Sequence, residues 1–127
     1  MVEAVGHRYL PVFFKKCCEL LKPDGKMLLQ AITIIDQKYK QYTRSVDFIQ
    51  RYIFPGGCLL SNNRIVQLIA LKTDMVVRHI DDFGLDYART IQDWRERFHS
   101  AFPELEKQGY DETFKRLWDF YLCYCLG

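Results

Sequence analysis

The chain has 127 residues, with 18 Lys+Arg against 16 Asp+Glu and a formal net charge of +2. That length fits one domain or part of one, by the rule of about 100–200 residues per domain. A content of 49% hydrophobic and 15% aromatic residues excludes disorder as the main state, and the near-neutral balance argues against nucleic acid as a partner.

The opening residues, Met1-Val2-Glu3-Ala4-Val5-Gly6, form neither a charged n-region nor a long apolar run, and they resemble a strand-to-helix loop whose strand is missing. Leu10, Phe13, Phe14, Cys17, Leu20 and Leu21 then repeat at i, i+3, i+4 spacing and predict a helix over 9–21 with one apolar face. Lys22-Pro23-Asp24-Gly25 is a turn signal. The near-continuous apolar run from Lys26 to Ile34 then predicts a strand covered on both faces. Tyr39, Tyr42, Val46, Phe48, Ile49 and Tyr52 predict one or two helices between Asp36 and Tyr52, before the Pro55-Gly56-Gly57 turn.

Ser61 is a candidate cap for a helix over 62–71, with Ile65, Leu68, Ile69 and Leu71 facing inward. Met75 to Ile80 reads as a second buried strand. Tyr87, Ile91, Trp94, Phe98 and Phe102 predict a long amphipathic helix closed by Pro103, and Asp111 opens a final helix carrying Phe114, Leu117, Trp118, Tyr121 and Leu122. Helices alternating with two strands point to an α/β layer, and two parallel strands alone make no stable sheet. The expectation is therefore a single partial domain over 1–127, the C-terminal part of a larger α/β domain, with a helical insertion at 36–60.

The five cysteines, Cys17, Cys18, Cys58, Cys123 and Cys125, suit neither a paired framework nor a four-cysteine zinc site and read as reduced, packed thiols. No apolar run approaches the length of a spanning helix, which predicts a chain on the cytosolic side without a transmembrane segment. His7, His79 and His99 lack HxxxH or HExxH spacing, so no metal site is expected. His7 lies within reach of Glu3 but reads as a surface histidine at a helix start. There is no Gly-x-Ser-x-Gly elbow, Walker loop or Gly-x-Gly-x-x-Gly in the sequence.

Ligands of open parallel sheets bind beyond the carboxyl ends of strands, where Glu3, Gln30, Ile32 and Tyr87 would fall. A carboxylate, an amide and a phenol there could hold a small polar species. From composition alone the plainer reading, a loop cap and a core aromatic, prevails. Basic residues at Lys38, Lys40, Arg44 and Arg51, and at Arg89, Arg95 and Arg97, read as solvated helix faces. The sharper alternative is attraction to anionic lipid headgroups, with Tyr39, Tyr42 and Phe48 at the interface.

Several ordered blocks carry a resemblance: Glu3-Ala4-Val5-Gly6, Phe13-Phe14, Leu21-Lys22-Pro23-Asp24-Gly25, Leu28-Leu29-Gln30-Ala31-Ile32, and Asp47-Phe48-Ile49. They continue through Tyr52-Ile53-Phe54-Pro55-Gly56-Gly57-Cys58-Leu59, Phe83-Gly84-Leu85-Asp86-Tyr87, Thr90, Trp94-Arg95, Arg97-Phe98 and Trp118-Asp119-Phe120-Tyr121. Together they resemble the cyclopropane-fatty-acyl-phospholipid synthase family along essentially the whole chain.

The resemblance implies a Rossmann-like S-adenosylmethionine methyltransferase that adds a methylene across a cis double bond of phospholipid acyl chains, with a bound bicarbonate taking up a proton. It implies that Glu3 is a carboxylate holding that ion, that the Ile32 backbone N–H contacts it, and that Tyr87 offers it a phenol. Gln30 stands where several members have His, and an amide cannot titrate. Leu60 stands where the family usually has Pro.

The family's glycine-rich cofactor loop, its ribose-holding acid and an N-terminal cysteine near the ion would all precede Glu3, and its last strand would follow Gly127. The expectation is a distal half-domain, inactive alone, that works at the inner membrane surface on phospholipid acyl chains, with the N-terminal part supplied as a separate chain. The rival expectation is a non-catalytic remnant that binds lipid surfaces or a partner. Open strand edges would make the isolated chain prone to aggregation.

Overall fold

The computed structural model describes residues 1–126; Gly127, where the expected domain ends, lies outside the described residues. The chain divides into two compact units, Met1–Ile80 and a second beginning at Asp81.

In the first unit a short 3-10 turn, Val2–Ala4, precedes α1 (Leu10–Leu20). The periodicity of α1 places Leu10 and Phe14 inside, and Pro11 sits in its first turn, where a missing N–H costs nothing. The chain then turns at Lys22–Gly25, with the Gly25 N–H donating to the Lys22 carbonyl at 2.8 Å. Asp24 adopts φ 62°, a left-handed conformation that Asp tolerates better than most residues. A Cβ on Gly25 would lie 2.8 Å from the Lys22 carbonyl oxygen, so the turn needs glycine there.

The insertion holds two short helices, α2 (Asp36–Tyr42) and α3 (Phe48–Tyr52). Asp47 and Gln50 form a reciprocal capping box on α3: the Gln50 N–H donates to Asp47 Oδ1 at 2.7 Å, and the Asp47 N–H donates to Gln50 Oε1 at 3.0 Å. The spare Gln50 amide donates to the Gly57 carbonyl at 2.8 Å and so ties α3 to the Pro55-Gly56-Gly57 turn. Ser61 caps α4 (Asn62–Lys72), as expected, by accepting from the Arg64 N–H at 3.3 Å. Ile65, Leu68 and Ile69 of α4 pack on α1 around Val2, Leu10, Phe14 and Leu60, while Leu71, expected inside, is exposed.

The two expected strands do not form. Lys26–Ile34 and Met75–Ile80 carry no ladder; an isolated parallel bridge pairs Thr33 with Leu60, and the Ile34 N–H donates to the Leu60 carbonyl at 2.9 Å. Nor is the first run covered on both faces: Leu29 and Ala31 pack on the core, whereas Leu28 is 92% exposed and Ile32 is 52% exposed. The physical reason is pairing. A strand's N–H and C=O groups need a neighbour along their length, and within these residues the segment meets a helical core on one side only. The α/β layer read from the sequence is thus a largely helical assembly here.

The second unit holds α5 (Gly84–Lys107) and α6 (Glu112–Leu126), which pack against each other through Ile91, Phe102 and Leu122. Pro103 does not close α5 as expected; the helix runs through it to Lys107. Its ring removes one i→i−4 bond, a loss that the surrounding turns and the packing of Phe102 outweigh. Asp111 does open α6, with Oδ1 accepting from the Phe114 N–H at 2.8 Å. Tyr110, Phe114, Trp118 and Tyr121 form a run of ring contacts along α6, with centroids 4.6–5.7 Å apart. The five cysteines are free, and Cys58 alone among them is fully buried. Among the described residues no helix is long and apolar enough to cross a membrane.

Candidate functional site

Two of the four residues expected to share a site are in direct contact. Glu3, on the 3-10 turn, accepts the Ile32 backbone N–H on Oε1 at 2.9 Å, across 29 residues of sequence. Its other oxygen, Oε2, accepts from the Met1 ammonium at 2.8 Å. Burial is the largest single influence on this carboxyl and pushes its pKa up. The bonds from the Met1 ammonium, from Ile32 and from its own backbone N–H together outweigh it, so Glu3 titrates below the usual carboxylate range. It is therefore an ionised, hydrogen-bonded carboxylate at neutral pH.

The turn that carries Glu3 is pinned from behind. The Cys58 N–H donates to the Glu3 carbonyl at 2.7 Å, which sets the Pro55-Gly56-Gly57 loop against it. Gln30 is exposed, two residues before Ile32 on the same segment. Tyr87 belongs to the second unit, where it lies in the first turns of α5 with its ring edge-to-face on Trp94, centroids 6.1 Å apart. It also adds to the negative field at Tyr121, whose pKa is pushed up to about 12, chiefly by burial.

Around the Glu3 turn lies a group of side chains that the sequence reading did not join. His7 is half-buried rather than on the surface, and its partner is Tyr39 of α2 rather than Glu3. Tyr39 Oη and His7 Nδ1 are 3.3 Å apart, with the rings edge-to-face. Arg64 of α4 acts on both rings, and Cys58 lies close enough to Glu3 to feel its charge. Burial raises the Cys58 thiol pKa, and the Glu3 charge adds to it, so this thiol stays protonated and unreactive. Only the closeness of His7 to Glu3 was visible in one dimension; Tyr39 and Arg64 lie 32 and 57 positions further on.

Among the described residues no cluster of three His, Cys, Asp or Glu side chains could hold a metal ion. A cleft at the C-terminal ends of α1 and α4, where Cys18 Sγ donates to Asp74 Oδ1 at 3.0 Å, contains none of the expected site residues.

Residues 1–127 match the family described as mycolic acid cyclopropane synthetase. The chain belongs to that family. It is 38% identical over 128 residues to the cyclopropane-fatty-acyl-phospholipid synthase of Escherichia coli (strain K12), covering 100% of this chain and 31% of that protein. It is 36% identical over 124 residues to the tuberculostearic acid methyltransferase UfaA1 of Mycobacterium tuberculosis, covering 98% and 29%. Identity to the sphingolipid C9-methyltransferase 2 of Gibberella zeae is 30% over 125 residues, covering 98% and 24%. The chain thus spans about a third or less of the length of these three relatives.

Proposed function

We propose that this chain is the distal part of an S-adenosylmethionine-dependent methyltransferase of Rossmann-like fold, acting on the acyl chains of phospholipids at a membrane surface. The match to the family along residues 1–127 carries that reading. In the finer version the product is a cyclopropane ring built across a cis double bond. Glu3 and Gln30 are then residues that hold a bicarbonate ion, with Ile32 fixing Glu3 through its N–H, and the family resemblance adds Tyr87 to that set; the ion's chemistry is to accept the proton lost before ring closure.

The local chemistry supports that assignment for the first unit. An ionised Glu3 carboxylate accepts the O–H of a bicarbonate well, because its charge is held in place by the Ile32 N–H rather than left to rotate. Gln30 contributes an amide that donates but cannot relay a proton, so any proton leaving the ion exits by another route. The sequence contains no glycine-rich loop for the S-adenosylmethionine, so its residues are assigned no cofactor contact.

The test is a chimera in which this chain replaces the matching segment of the Escherichia coli cyclopropane-fatty-acyl-phospholipid synthase. Transfer of label from methyl-labelled S-adenosylmethionine to vesicles of cis-unsaturated phospholipid is expected, and Glu3→Gln should lower it by about 10²-fold or more, the scale of a lost charge-stabilising group. A chimera that folds but transfers no label, or is indifferent to Glu3→Gln, would refute the assignment and favour a lipid-binding remnant.

A further inference from the structure

The geometry points to His7 as a positioning residue that seats the helical insertion on the Glu3 turn through Tyr39. This rests on the reading that the Glu3–Ile32 pair is the working part of the site.

Three observations carry it. His7 lies four residues after Glu3, past Gly6, whose φ of 77° turns the chain sharply between the 3-10 turn and α1. From there its ring reaches α2, with Nδ1 on the Tyr39 hydroxyl at 3.3 Å and ring centroids 5.9 Å apart. Its other nitrogen, Nε2, is buried and has no hydrogen-bond partner among the described residues. A buried imidazole with one orphan nitrogen is costly and calls for an explanation.

The explanation lies in what the ring touches. The groups that face it are Tyr39 from α2 and Arg64 from α4, with Glu3 and Cys58 on the adjoining turn and loop. Protonating His7 would bury a positive charge beside Arg64, so the ring stays neutral, and a neutral Nδ1 can accept the Tyr39 O–H. Burial, reinforced by Arg64, accordingly holds the His7 pKa below its ordinary value. Three residues on in α2, the Tyr42 hydroxyl accepts the Leu59 N–H at 3.1 Å, and the neighbouring Cys58 N–H donates to the Glu3 carbonyl at 2.7 Å. A line of contacts therefore runs from His7 through the insertion and back to the residue whose carboxylate meets Ile32.

The experiment uses the 15N-labelled chain and reads amide exchange at Ile32, the donor to Glu3, together with the His7 ring nitrogens across pH. Tyr39→Phe and His7→Leu should each speed Ile32 exchange about fivefold, the effect of one ordinary hydrogen bond, and move the Glu3 titration seen at Ile32 up toward the usual carboxylate range. Phe14 and Leu68 amides should not change, and His7→Asn, which keeps a polar group near the Nδ1 position, should retain most of the protection. Unchanged Ile32 exchange in both variants, or equal acceleration at Phe14 and Leu68, would overturn the proposal. So would a wild-type His7 ring that titrates at its ordinary value, a measurement that stands even if a variant fails to fold. No turnover or ion enters this test, so a chimera without activity leaves it untouched, and the reverse also holds.

Discussion

Each of the two units of the chain is held together internally by its own kind of contact. The second, α5 and α6, is a helical hairpin of two consecutive helices, joined through a four-residue connection, with successive rings along α6. The first is closed by contacts between distant positions: Glu3 with Ile32, His7 with Tyr39, Ile34 with Leu60, Cys18 with Asp74. Its core is also the better buried, with Val2, Leu10, Phe14, Leu60 and Leu68 sealed from solvent. A helix and its hairpin need only helical periodicity and a short connection, both of which are read within one stretch of sequence. Long-range contacts put polar groups from several segments side by side, and there the chemistry of the candidate site is found.

The sharpest way to break this contrast is to empty the first unit's core. Phe14→Ala removes a fully buried ring and should cost about 3–5 kcal/mol, read as loss of amide protection at Leu10, Leu60 and Leu68. A cost below 1 kcal/mol would mean that the helices of this unit are not held by that core.

A smaller effect is expected at the turn that hands α1 to the irregular segment. Gly25→Ala places a methyl 2.8 Å from the Lys22 carbonyl oxygen and should destabilise the first unit by about 1–3 kcal/mol through overpacking, measured by chemical denaturation. An unchanged midpoint would show that the turn opens freely.

The smallest effect belongs to the hairpin. Asp119 of α6 accepts from Arg95 Nε and from His99 Nε2 of α5, each at 2.6 Å. The Arg95 bond, above all, holds the Asp119 carboxyl below its usual range. A carboxyl lowered in the folded state contributes stability that is present above its unfolded pKa and is lost as pH falls through the folded one. The melting midpoint of the α5–α6 amides should therefore drop modestly on acidification, and Asp119→Asn should flatten that dependence; the drop is modest because both side chains are partly open to solvent. A midpoint in Asp119→Asn that still follows pH as the wild type does would assign the dependence to other carboxylates.

The same contrast explains what the sequence made legible. The spacing of Leu10, Phe13, Phe14 and Cys17, the Ser61 cap and the Asp111 start each predict an element that the structure contains, because helices and caps are local. Lys26–Ile34 was misread because an apolar run gives the same signal whether or not a neighbouring strand is present to accept its hydrogen bonds. Pro103 was misread as a stop because propensity ignores the packing on both sides of it. At the site, the strand-end argument names Glu3 and Ile32 as candidates, and only the family resemblance gives them a role. The braces behind them, His7 with Tyr39 and Cys58 with the Glu3 carbonyl, depend on how the insertion folds back, which no spacing encodes.

The central claim is that Glu3 is an ionised carboxylate held on the Ile32 N–H, and the pH dependence of the Ile32 amide chemical shift tests it most directly. In the wild-type chain that shift should follow a single titration with a midpoint below the usual carboxylate range, the bond persisting above it and failing as pH falls through it, and Glu3→Gln should abolish the titration. An Ile32 amide that does not titrate, or that titrates identically in Glu3→Gln, would contradict the account.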